Sequence, residues 1–147
     1  MINQVGEETP HTYKIKDMKL NKEQLVDLLC TATYSSDWLS IKTPISERNL
    51  DKIYDEEYLE NRCLEERWAD RLLNGGHIVC VDYYDDDENG KPMRYTLCLK
   101  DIEDKLLQAA QDKEIIISYS NWISGDYDYY DCNNLMQYVI FGEVVYG

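Results

Sequence analysis

Two runs of strand-forming residues flank an Asp-rich tip ending in Asn89-Gly90, and this pattern constrains the chain more than any other. His77–Tyr84 is rich in β-branched and aromatic residues. Arg94–Leu99 alternates Tyr95, Leu97 and Leu99 with Arg94, Thr96 and Cys98. Asn-Gly favours the tight turn whose twist matches two antiparallel strands, so a β-hairpin is expected over about 77–99. It is preceded by Asn74-Gly75-Gly76, a helix stop, because glycine takes the left-handed conformation after a last turn at little cost.

The rest of the chain reads mostly as helix. Asn21 with Gln24 resembles a capping box, and Leu25, Leu28, Leu29 and Ala32 follow the spacing of one buried helical face, ending near Thr33–Ser36. Trp38, Leu39 and Ile41 form a short buried segment before Pro44. A short helix is expected over Ser46–Tyr54 and a longer one from about Glu56 to Leu73, with Leu64, Trp68 and Leu72 inward. A third covers Asp101–Gln111, with Ile102, Leu106, Leu107 and Ala110 inward. Glu114–Ser118 reads as a strand and Asn121–Tyr130 as a Tyr/Asp loop. Asp131 then reads as the N-cap of a helix through Phe141, ended by Gly142. Thr12–Ile15 and Val144–Tyr146 could add short strands. The expected architecture is α+β: a small antiparallel sheet packed against about four helices. The 147 residues fit a single domain over 1–147, with 1–20 as a loosely ordered arm.

Charge narrows the partners. The formal net charge is −14, and it is lopsided: residues 1–50 carry seven acids and six bases, residues 51–147 twenty-two acids and nine bases. Such a surface repels nucleic acid and anionic membrane and attracts basic protein surfaces. No apolar stretch approaches the about 20 residues of a membrane span. Met1–Gly6 lacks the basic and apolar regions of a signal peptide, so a cytoplasmic location is expected. The five cysteines (30, 63, 80, 98 and 132) form no C-x-x-C pair and are odd in number, so reduced, mostly buried thiols are expected rather than a disulfide framework or zinc knuckle.

Catalytic signatures are sparse. Asp85, Asp87, Asn89 and Gly90 occupy positions one, three, five and six of a calcium-loop pattern. The position requiring a bidentate Glu falls on Thr96, so the pattern fails and no metal or cofactor is expected. His11 and His77 are the two histidines, with no metal-pair spacing. A Cys–His dyad would draw on Cys80 or Cys98, but Cys80 lies three residues from His77 and so on the opposite strand face. No nucleotide-binding glycine pattern and no nucleophile turn is present. Among twenty-nine acids a carboxylate pair says little. The chain is expected not to be an enzyme.

The acids concentrate in three places. Glu56, Glu57, Glu60, Glu65 and Glu66 line the polar side of the longer helix. Asp85, Asp86, Asp87 and Glu88 crown the hairpin. Asp126, Asp128 and Asp131 interleave with Tyr127, Tyr129 and Tyr130. Carboxylates on a rigid surface can imitate a row of phosphates, and tyrosines add anchoring contacts. The plain alternative is acidity for solubility alone, with docking through an apolar patch around Trp38 or Trp122. A further alternative is a small carboxylate enzyme using His77.

Asp131–Gly147 and Trp68–Gly76 together resemble small uncharacterised proteins carried by mobile elements and phages of gut Firmicutes. The resemblance covers the C-terminal half and supplies no catalytic residues. It implies a context in which small acidic proteins disarm host nucleases, as anti-restriction and anti-CRISPR proteins do. Charge and resemblance together lead to the expectation of a non-enzymatic, DNA-mimicking inhibitor in a bacterial host cell. Its partner would be a basic nucleic-acid-binding protein, such as a CRISPR effector or restriction nuclease, rather than nucleic acid itself.

Overall fold

The computed structural model describes residues 17–47 and 62–147. Among them, five helices surround a three-stranded antiparallel sheet of order β1-β2-β3, an α+β fold as the sequence implies. The expected Thr12–Ile15 strand lies outside the described residues.

Helix α1 (Lys22–Tyr34) begins at the capping box anticipated from sequence. Asn21 Oδ1 accepts from Gln24 N at 2.8 Å, and Gln24 Oε1 accepts from Asn21 N at 3.0 Å. Leu25, Leu28, Leu29 and Ala32 are fully buried. The short apolar segment that follows is the edge strand β1 (Leu39–Lys42), with Ile41 opposite Cys80 of the central strand. Of the helix expected over 46–54, Ile45–Glu47 form one tight helical turn; 48–54 lie outside the described residues.

Helix α2 (Leu64–Leu73) is the described part of the helix expected from Glu56; Cys63 has an extended backbone and is its N-cap, and residues 56–61 lie outside the described residues. Its face also differs. Glu65, Trp68, Ala69, Arg71 and Leu72 are buried, whereas Leu64 is exposed. An every-four spacing drifts by about 40° per step on a helix of 3.6 residues per turn, so Leu64 lies at the edge of the face centred on the buried 65/68/69/72 row and falls outside it.

The hairpin forms as expected from β2 (His77–Asp86) and β3 (Pro92–Cys98), with Ile78 opposite Leu97 and Cys80 opposite Tyr95 on the core side. Two details differ. Gly90 N donates to Asp87 O at 3.0 Å and Asp87 N to Lys91 O at 2.6 Å, giving a three-residue loop with Gly90 at φ 76°. The register then jumps from Asp82↔Met93 to Asp86↔Pro92, so Tyr83–Asp85 bulge away from β3.

Helix α3 (Leu99–Ala109) starts two residues earlier than expected, with Cys98 as N-cap and Asp101 Oδ2 accepting from Cys98 N at 2.9 Å. The expected strand at Glu114–Ser118 is instead a turn leading into α4 (Ile116–Ser124). A short apolar run has no period of its own. Here Ile115, Tyr119 and Trp122 point inward at helical spacing while Ile117 is 72% exposed. The Tyr/Asp loop shrinks to Gly125–Asp128. Asp128, not Asp131, is the N-cap of α5 (Tyr129–Phe141); Asp131 is the other half of its capping box. Helix α5 packs against α1, α3 and α4 through Cys132, Leu135, Met136, Tyr138 and Val139. Gly142, at φ 79°, ends it. Val144–Tyr146 is not a strand, because Gln137 rather than a neighbouring strand receives its N–H groups.

Candidate interaction surface

Helix α1 connects two of the three acidic regions. Along one flank, Lys22 reaches Glu66 at 3.6 Å and Asp70 at 3.1 Å, and Tyr34 donates its hydroxyl proton to Glu65. Along the other flank, Asp27 and Thr31 hold the hydroxyl of Tyr127. The hairpin tip is placed separately. It follows Tyr84, whose ring meets Tyr146 edge-on at 5.3 Å.

Side-chain environments divide the candidate acids. Glu56, Glu57 and Glu60 lie outside the described residues. Glu65 is only 5% exposed, which removes it from any docking face. Burial pushes its carboxyl up, but hydrogen bonds from Tyr34, its own N–H and the Cys63 thiol outweigh that and hold it below the usual range. Glu66 is half-buried and already balanced by Lys22 and, at 3.7 Å, Arg62. Asp131 is buried and accepts from Asn121 Nδ2 and Asp128 N. Tyr127 is half-buried against α1, an internal anchor. Asp87 is half-buried, and its Oδ1 accepts from Asn89 N and Lys91 N, so it shapes the turn.

What remains outward is a smaller set. Asp126, Asp128, Tyr129 and Tyr130 are exposed around the start of α5, and Asp85, Asp86 and Glu88 on the hairpin. The Tyr129 and Tyr130 rings stack with centroids 4.5 Å apart, forming a flat aromatic plate beside the two aspartates. No lysine or arginine occurs in residues 114–147, so no base within this stretch of sequence offsets its charge. Trp38 and Trp122 are buried, at 2% and 4% exposure, so neither forms the apolar docking patch considered from sequence.

The thiols separate similarly. All five cysteines are free, but Cys63 is exposed and only Cys80 and Cys132 are fully buried. Burial pushes both of those up to about 12. At Cys63 a backbone hydrogen bond from Glu66 lowers the thiol, while desolvation, Glu65 and Glu66 outweigh it and raise it.

Sequence reasoning missed two polar clusters. Glu47 accepts from the backbone N–H of His77 at 2.7 Å and contacts its ring Nδ1 at 2.5 Å. His77 lies directly across the hairpin from Cys98. The second cluster joins Asp82, Gln137 and Tyr146. Asp82 and Gln137 are each 1% exposed. A Glu 30 residues from its His, or an Asp 64 residues from its Tyr, leaves no short-range signal.

Among the described residues, no helix is long and apolar enough to cross a membrane. Likewise, no group of three or more His, Cys, Asp or Glu side chains converges as a metal set. No protein-family model, curated protein or solved structure matches this chain.

Proposed function

We propose that this protein is a binding protein that docks the acidic, tyrosine-bearing start of α5, with the separately placed hairpin tip as a second acidic contact, onto a basic surface of a nucleic-acid-binding protein. A nuclease or CRISPR effector of a bacterial host fits that description, with the chain acting as an inhibitor that imitates nucleic acid. The supporting observation is the segment 126–130, in which Asp126, Asp128, Tyr129 and Tyr130 are exposed and Tyr127 anchors the segment to α1. Asp128 is fixed as a helix cap, the two tyrosines are stacked, and no base is present from residue 114 onward. Fixed carboxylates beside rigid aromatic rings lose little conformational freedom on binding, which suits an anchor site. The test is capture of basic effectors at low and at high salt, with nucleic acid as competitor. Salt shortens the screening length from about 10 Å at 0.1 M to about 3 Å at 1 M, so mimicry requires binding that weakens steeply. Salt-independent binding, or binding unaffected by nucleic acid, contradicts the reading.

A second reading is favoured by one observation. The Glu47 carboxylate contacts His77 Nδ1, and Cys98, the cross-strand partner of His77 on β3, is the N-cap of α3. A carboxylate-oriented His beside a Cys is the skeleton of a thiol nucleophile. The test is the pH dependence of Cys98 alkylation in the native chain and in His77→Ala. Identical profiles remove this reading.

A further inference from the structure

We propose that the groove between α5 and β2 is a binding site for an extended, tyrosine-bearing peptide segment, and that residues 143–147 occupy it in cis. This site is separate from the acidic start of α5 and meets the hairpin only at Tyr84, the residue before the acidic tip. It is built from buried polar side chains whose hydrogen bonds go to one short segment. Gln137 Oε1 accepts from Val145 N at 2.8 Å and Tyr146 N at 2.7 Å, and Gln137 Nε2 donates to Tyr146 O at 3.2 Å. One amide thus reads the main chain of two successive residues. Asn133 Oδ1 fixes that amide by accepting from Gln137 Nε2 at 2.7 Å, and it also accepts from Trp38 Nε1 at 3.2 Å. At the end of the groove, the Tyr146 hydroxyl donates to Asp82 Oδ2 at 2.6 Å. Asp82 Oδ1 accepts from Tyr84 N at 2.9 Å, which holds the carboxylate in place. Trp38, Tyr84 and Phe141 surround the ring, with centroids 5.3 to 5.8 Å away.

The groove belongs to folded elements, while its occupant does not. The segment follows Gly142, the left-handed C-cap of α5, has no regular secondary structure, and leaves Val144 and Val145 41% and 51% exposed. It is held through one residue's ring and two residues' backbone, the grip a displaceable peptide has on its receptor. Recognition is for the phenol. Without its hydroxyl, a buried carboxylate loses its charge-assisted partner. Since Tyr84 leads into Asp85–Glu88, displacement of Tyr146 would also release the base of the acidic tip.

The test uses the full chain carrying Tyr146→Ala and a fluorescein-labelled, end-capped peptide Gly-Glu-Val-Val-Tyr-Gly. The expected result is saturable binding to the variant, at least about tenfold weaker binding of the same peptide with Phe for Tyr, and none to the native chain at equal concentration. A natively folded variant that binds neither peptide, or both equally, overturns the proposal. Should Tyr146→Ala not fold, a protease site inserted after Gly142 allows the segment to be cut after folding. Exchange of the cut segment for labelled peptide supports the proposal, and failure to exchange overturns it. A mixed dimer between native and Tyr146→Ala chains would assign the groove to a second copy of this protein instead.

Discussion

Replacing Gln137 with Leu tests the polar cluster most sharply, because the two side chains are similar in size and the change removes hydrogen bonds with little change in packing. Gln137 makes four: to Asn133, to Tyr146 O, and from the N–H groups of Val145 and Tyr146. Each is worth about 1 kcal/mol net. Val145 is 51% exposed, so its N–H regains water when released, which reduces the expected loss to about 3 kcal/mol. Urea unfolding followed by circular dichroism should show a lower midpoint with an unchanged slope. Melting should fall by roughly 10 °C for a chain of this size. Hydrogen exchange adds a local readout: the Val145 and Tyr146 amides, protected in the native chain, should exchange at nearly free-peptide rates in Gln137→Leu. A loss below about 1 kcal/mol with both amides still protected would refute the assignment of these bonds to Gln137.

Further outcomes follow from the same contacts. Glu65 has a folded carboxyl held below its unfolded value, so its contribution to stability is present above about pH 4.3 and is lost as pH falls through the depressed value. Glu65→Gln should flatten the acid limb of the stability curve, and an unchanged limb would contradict the Tyr34–Glu65 bond. Gly76→Ala places a Cβ 2.7 Å from Arg71 Cγ and 2.9 Å from Glu47 Oε1. It should destabilise by about 1–3 kcal/mol in thermal unfolding and weaken the Glu47–His77 contact, seen as an altered His77 ring shift by NMR. Under native alkylation, mass spectrometry should find Cys80 and Cys132 unmodified when exposed Cys63 is complete; early labelling at either buried thiol would contradict the packing of β2 and α5.

The helical periods, the N-cap at Asn21, the hairpin and the Gly142 stop were legible because each is a local signal. Ile115-Ile116-Ile117 was misread because a three-residue apolar run carries no period; the turn at Asp112 and the inward Tyr119 and Trp122 decide for helix. Asp128 and Asp131 compete for the same capping role, and Asp128, extended in backbone and accepting from Asp131 N, takes the cap while Asp131 bonds back to Asp128 N. At the candidate surface, sequence found where acids are dense but not which ones face outward. Glu65 turns inward because the i, i+3, i+4, i+7 row of α2 runs through it, and Tyr127 because Asp27 and Thr31 await its hydroxyl. The Glu47–His77 and Asp82–Gln137–Tyr146 clusters join residues far apart in the chain and emerge only once the strands are in register.

Charge reversal at the start of α5 tests the central claim most directly. A chain carrying Asp126→Lys and Asp128→Lys, the latter position keeping its helix cap in a companion Asp128→Asn control, is measured for affinity to a basic effector captured by the native protein. The acidic-docking account predicts at least about a tenfold loss for the reversed chain at low salt, little change for Asp128→Asn beyond one lost charge, and convergence of native and reversed affinities near 1 M salt. Equal affinity of native and reversed chains at low salt, with both folded, would contradict it.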